Sequence, residues 1–176
     1  MQEPASPQWF VMRDLKRPNA KNPAYKFLEG RVAKVFTPLN RFPKARGEWE
    51  EKPVVHGLLF VYETREVMDP ILEQVPTLQY RYLPRRYREP MVVPTEDMER
   101  FIYAINVTQS PCYYTPEEIT PKMHGRRIRV VGGTLDGYEG RLITVRGSKV
   151  KRLLVELPGF LAAGVEVDPD YIQFLD

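Results

Sequence analysis

"RVVGGTLDGYEGRL" runs from Arg129 to Leu142, with glycines at 132, 133, 137 and 140. Two chemistries compete for such a stretch. A phosphate-binding P-loop needs Gly-Lys-Ser/Thr entering a helix, so that backbone amides and a lysine converge on phosphate. Here Gly140 is followed by Arg141-Leu142-Ile143, which reads as a strand. A dinucleotide-binding turn needs a strand before it and a helix after it, and only the strand is present. A tight turn between two strands needs glycine where φ is positive. The flanks support the turn.

Working outward, everything after the turn has β character. "RRIRVV" alternates, and "EGRLITVRGSKVKRLLVEL" reads as two strands joined near Gly147-Ser148, a hairpin signal. "GVEVDPDYIQFL" adds one or two more. Strands this short and closely spaced suggest a small barrel. Before them, "TQSPCYYTPEEITP" from Thr108 to Pro121 holds three prolines and no periodicity, the composition of a linker.

The first half mixes element types. "WFVM" (Trp9–Met12) is a short apolar strand, and Asn22-Pro23 reads as a helix cap followed by proline. Val32, Val35 and Phe36 belong to a second strand, and residues 39–53 form a polar, extended hairpin loop. "VVHGLLFVY" (Val54–Tyr62), the most apolar run, reads as a central strand. "TREVMDPILEQV" has helical spacing with a Thr64 cap, and Pro70 is expected to bend or interrupt it. "TLQYRYL" and "PMVVP" read as strands. Thr95 opens a helix with Glu96 and Asp97 in its first turn and Met98, Phe101, Ile102 and Ile105 on its buried stripe. The pattern predicts an antiparallel sheet covered by helices, an α+β layer.

The chain has 176 residues, a formal net charge of +3, 17 prolines and a single cysteine. One cysteine, Cys112, rules out an intramolecular disulfide and a cysteine zinc site. His56 and His124 are the only imidazoles, and neither has a nucleophile or carboxylate constellation beside it in sequence. The expectation is a protein without enzymatic activity, metal or cofactor. The opening "MQEPASPQ" lacks the basic n-region and apolar run of a secretory signal. No stretch approaches the ~18 apolar residues of a membrane span, so a cytoplasmic protein without membrane contact is expected.

Gly125 to Leu154, "GRRIRVVGGTLDGYEGRLITVRGSKVKRLL", resembles a KOW motif, with Gly133, Leu135, Tyr138 and Gly140 at the motif positions. The order of "WFVMR", a helix, "VAKVFTPL", a polar hairpin loop and "VVHGLLFVY" resembles the N-terminal domain of NusG, and "EPMVVPTEDMERFI" resembles its UpxY/RfaH-type branch. In place of the Phe-Pro-Gly-like turn common in the family stands Val55-His56-Gly57. The resemblance implies a NusG N-terminal-like domain over 1–107, a linker over 108–121 and a small SH3-like KOW barrel over 122–176. It implies a bacterial transcription elongation and antitermination factor that binds the clamp region of RNA polymerase. A KOW-containing RNA-binding module related to ribosomal proteins is the alternative.

The same resemblance assigns Arg13, Leu58 and Phe60 to polymerase binding and places Lys16 and Arg17 near displaced non-template DNA. Leu157, Phe160 and Leu161 fall in the loop through which the second domain would meet the ribosome or Rho. Two basic clusters stand out from composition alone. Arg81, Arg85, Arg86 and Arg88 interleave with Tyr80, Tyr82 and Tyr87, and Arg85 and Arg86 are the nucleic-acid candidates. Arg126, Arg127, Arg129, Arg146, Lys149, Lys151 and Arg152 form the other.

Overall fold

The structure, a computed structural model, describes residues 5–123, 125–144 and 147–176. His124 and Arg146, singled out above, lie outside the described residues. The fold is mixed α+β, mostly antiparallel sheet with few helices. The chain divides into two compact units, one up to Thr95 and the other from Glu96 to Asp176.

In the first unit the elements run β1 (Gln8–Asp14), α1 (Ala24–Phe27), β2 (Lys34–Phe36), β3 (Leu39–Pro43), β4 (Trp49–Pro53), β5 (Leu58–Glu63), α2 (Arg65–Gln74), β6 (Leu78–Tyr80) and β7 (Val92–Val93). One sheet has the order β2-β5-β1-β6, with β7 also paired to β1. The expected central strand is therefore interior. Its register sets Phe10 opposite Val61 and Met12 opposite Leu59. These four pack with Ala24, Leu28, Met68, Leu78 and Tyr80 into one core.

Local chemistry explains the helix ends. Thr64 caps α2 by accepting from the Val67 amide at 3.4 Å. The helix continues through Pro70, contrary to the expected interruption. Asn22 does not cap α1. The Asp14 carboxylate, at the end of β1, accepts from the Ala24 amide at 2.8 Å and from the Lys16 amide at 3.0 Å. A carboxylate from ten residues upstream does the work expected of the neighbouring asparagine.

β3 and β4 form a separate two-stranded ladder, from Leu39 opposite Pro53 to Pro43 opposite Trp49. The expected loop is thus a regular arm. It lacks apolar periodicity because cross-strand pairs of another kind hold it. The Arg41 guanidinium lies 5.5 Å from the Trp49 ring and the Lys52 ammonium 5.9 Å from the Phe42 ring. Each such contact contributes roughly 0.5–1 kcal/mol at an exposed site.

The second unit holds α3 (Thr95–Val107), β8 (Cys112–Tyr114), β9 (Arg127–Val130), β10 (Glu139–Ile143), β11 (Arg152–Leu157), β12 (Leu161–Glu166) and β13 (Ile172–Phe174). Its sheet has the order β13-β9-β10-β11-β12-β8. This is an open six-stranded sheet and corrects the expected barrel. The two ends of the order are three-residue strands, β8 and β13, which pair with β12 and β9 and not with each other. β8 lies within the stretch expected as a linker: Tyr113 and Tyr114 pair with Ala163 and Ala162. Three residues of strand between Pro111 and Pro116 are too few to show a period.

The division between the units falls between Thr95 and Glu96, at the first residue of α3. The helix is tied to the glycine turn. The Arg100 guanidinium donates to the Glu139 carbonyl at 2.7 Å and lies 4.6 Å from the Tyr138 ring. The Tyr138 hydroxyl donates to the Arg100 carbonyl at 2.8 Å, and Tyr103 donates to the Thr134 carbonyl at 3.0 Å.

Candidate functional site

The glycine turn is structural. Gly132 and Gly133 have φ of 116° and 71°. A Cβ on either would stand 2.8 or 3.0 Å from the Tyr171 ring, so the backbone and the ring need the same space. The Gly132 amide donates to Asp136 Oδ1 at 2.7 Å. A carboxylate of the loop itself thus occupies the place a phosphate oxygen would take. Among the described residues no group of three or more His, Cys, Asp or Glu could hold a metal ion.

The candidate residues divide by exposure. Arg13 is exposed on β1, where it pairs across to Leu58 and Gln79. Leu58 is 7% exposed and Phe60 is 0%. The helices α1 and α2 pack against the Leu59 and Val61 face. The opposite face of β5, which carries the Leu58 and Phe60 assigned to polymerase binding, is buried too. Leu157 and Leu161 are likewise buried, at 1% and 2%, and Phe160 is half-buried. This corrects the expected loop: Leu157 ends β11 and Leu161 opens β12 opposite it, both buried strand residues, so the loop itself is only residues 158–160.

Lys16 and Arg17 differ in kind. The Lys16 ammonium donates to the Asn22 carbonyl at 2.7 Å and helps close its own loop. Arg17 is exposed and lines a cleft of about 480 Å³ together with Tyr25, Lys26, Arg41, Trp49 and His56. Burial, with the nearby Glu51 and Glu29 charges, holds the Tyr25 hydroxyl above its ordinary pKa.

In the third group, Tyr80 belongs to the core. It is 5% exposed, and its hydroxyl donates to Asp69 Oδ1 at 2.7 Å. Tyr82 and Tyr87 point outward, at 46% and 89% exposure. Arg86 is engaged with Glu89 through two contacts of 3.1 and 3.2 Å. Arg85 has no ion pair among the described residues. Of the second basic cluster, Arg127 and Arg129 pair with Glu139 and Arg152 with Glu166. These guanidiniums are largely spent on their own sheet.

Sequence reasoning missed Phe42 and Trp49, which are 45% and 59% exposed on the arm. The signal was present: two aromatics, Phe42 and Trp49, inside the polar stretch 39–53, on either side of Arg46-Gly47. No protein-family model matches the chain, and no curated protein is significantly similar to it. No helix among the described residues is long and apolar enough to cross a membrane.

Proposed function

We propose that the chain is a NusG-like transcription elongation and antitermination factor, which binds RNA polymerase through its first unit and suppresses pausing or termination. The observation that carries this reading is the arm. β3 and β4 present Phe42 and Trp49 to solvent beside Arg41, Lys44 and Lys52, on a ladder that joins no other strand. Exposed aromatics bordered by charge are the composition of a docking surface. The KOW-like glycine turn and the order of elements in the first half support the same reading.

Arg13 and the arm then carry the polymerase contact. Leu58 and Phe60 are buried, so of the three docking residues implied by the resemblance only Arg13 reaches solvent. Arg17, which lines the cleft beside the arm, would meet displaced non-template DNA. The mechanism is a population shift: a factor that binds one polymerase conformation more tightly stabilises it. The second unit would supply a separate contact, to the ribosome or to Rho. No cofactor or metal enters this account.

Single-round transcription across a pause site and an intrinsic terminator, with and without the full chain, tests the proposal. Added protein should raise read-through, and Trp49→Ala should diminish the effect. Unchanged read-through at saturating protein would refute it.

A further inference from the structure

The segment from Tyr82 to Pro90 is a closed, ordered loop. Tyr82 and Pro90 form a β-bridge, the Leu83 amide donates to the Glu89 carbonyl at 2.8 Å, and the Met91 amide donates to the Arg81 carbonyl at 2.7 Å. The Arg86–Glu89 ion pair spans it.

Its backbone is held at a cost. Among the described residues the non-glycine residues with positive φ are all arginines: Arg46 at 66°, Arg85 at 67° and Arg88 at 51°. Two of them are in this loop. Left-handed backbone costs roughly 1–2 kcal/mol for a residue with a Cβ, and glycine or asparagine would serve at less. Such strained positions cluster at ligand-contacting elements. Arg46 follows the same rule at the tip of the arm.

The side chains have distinct tasks. Tyr87, 89% exposed, has the Arg88 guanidinium 5.3 Å from its ring centroid. One cation steadies the ring, and most of its surface stays open. Arg85 is exposed and unpaired among the described residues, while Arg86 is held by Glu89. Within the loop Arg85, Arg86 and Arg88 stand against the single carboxylate of Glu89. A flat exposed ring beside unneutralised guanidiniums fits an unstacked base with its phosphates. In a duplex each base face is covered by its neighbours, so the ring has nothing to stack on.

We propose that the Tyr82–Pro90 loop binds single-stranded nucleic acid, with Tyr87 stacking on a base and Arg85 and Arg88 meeting the adjoining phosphates. This rests on the nucleic-acid part of the function proposed above and is separable from polymerase binding.

Fluorescence anisotropy of the full chain, without polymerase, provides the test. The probes are short labelled single strands of mixed sequence, in a DNA arm and an RNA arm, and the matching duplex. Single strands should bind more tightly than duplex, and the two arms identify the natural polymer. Tyr87→Ala should weaken single-strand binding roughly 5- to 150-fold with an unchanged salt slope, and Tyr87→Trp should retain it. Arg85→Ala should lower the slope of log affinity against log salt by about 0.7. Equal binding of duplex, or a Tyr87→Ala protein that is folded by circular dichroism and binds as wild type, would overturn the proposal. Polymerase retention measured separately shows whether the wider reading fails on its own.

Discussion

Phe60 and Trp49 are both large aromatics in the first unit, and their surroundings give them opposite roles. Phe60 sits fully buried opposite Val11, and Phe36 lies 6.2 Å from its ring. A charge placed there has no water and no built partner. Phe60→Asp should therefore unfold the first unit, with a loss upwards of about 4 kcal/mol, read as a lost urea transition. Trp49→Ala should change stability by less than about 1 kcal/mol and weaken partner binding. A Phe60→Asp protein with a wild-type transition would remove the residue from the core. Tyr80 adds a pH-dependent term. Burial, and then the hydrogen bond to Asp69, raise its pKa above the ordinary value. The neutral phenol is favoured in the folded state, so this stabilisation is complete below about pH 10 and is lost as pH rises above it. Wild-type stability should fall more steeply through the alkaline range than that of Tyr80→Phe, in paired urea titrations. Parallel curves would contradict the assignment.

The glycine turn and β8 make the case at the level of elements. Gly132→Ala brings a Cβ to 2.8 Å of the Tyr171 ring and keeps φ at 116°. It should cost about 1–3 kcal/mol, and Tyr171→Ala should restore only part of that, because the backbone strain remains. Full rescue by Tyr171→Ala would make the ring the sole cause. β8 is hydrogen-bonded to β12, so a protease of broad specificity should cut the exposed arm tip, Lys44–Gly47, before Cys112–Tyr114. Early cleavage at 112–114 would mean that the strand is not held. These two elements also mark what could be read in advance. The turn was legible because its glycines and flanking strand patterns are local. The strands β1, β5 and β9–β11 were legible through apolar runs and alternation. β8 was not, since a three-residue edge strand takes its stability from the neighbour and not from its own sequence. The arm hid its pairing for a related reason: Arg41–Trp49 and Lys52–Phe42 contacts replace the apolar alternation that announces a hairpin. Burial of Leu58 and Phe60 was equally out of reach, because alternation sorts residues onto faces without saying which face is covered.

For the molecule as a whole, the chain divides into a unit ending at Thr95 and one beginning at Glu96. The first unit carries the arm, the cleft beside it and the Tyr82–Pro90 loop, where aromatics and basic groups are exposed together. In the second unit Arg127, Arg129 and Arg152 are taken up by Glu139 and Glu166. The arm's cations Arg41, Lys44 and Lys52 pair with Glu51 and Glu50 in the same way, and a net charge of +3 fits contact with polyanions without requiring it, so the exposed Phe42, Trp49 and Tyr87 carry the argument. The central claim is that the first unit docks on RNA polymerase. The most direct measurement is equilibrium binding of the labelled full chain to bacterial core RNA polymerase without nucleic acid, compared with Arg13→Ala and a Phe42→Ala, Trp49→Ala double variant. The account predicts a saturable complex that each variant weakens by tenfold or more, about 1.4 kcal/mol, while the fold stays intact. Absence of a complex with core polymerase, or a complex indifferent to all three positions, would contradict it.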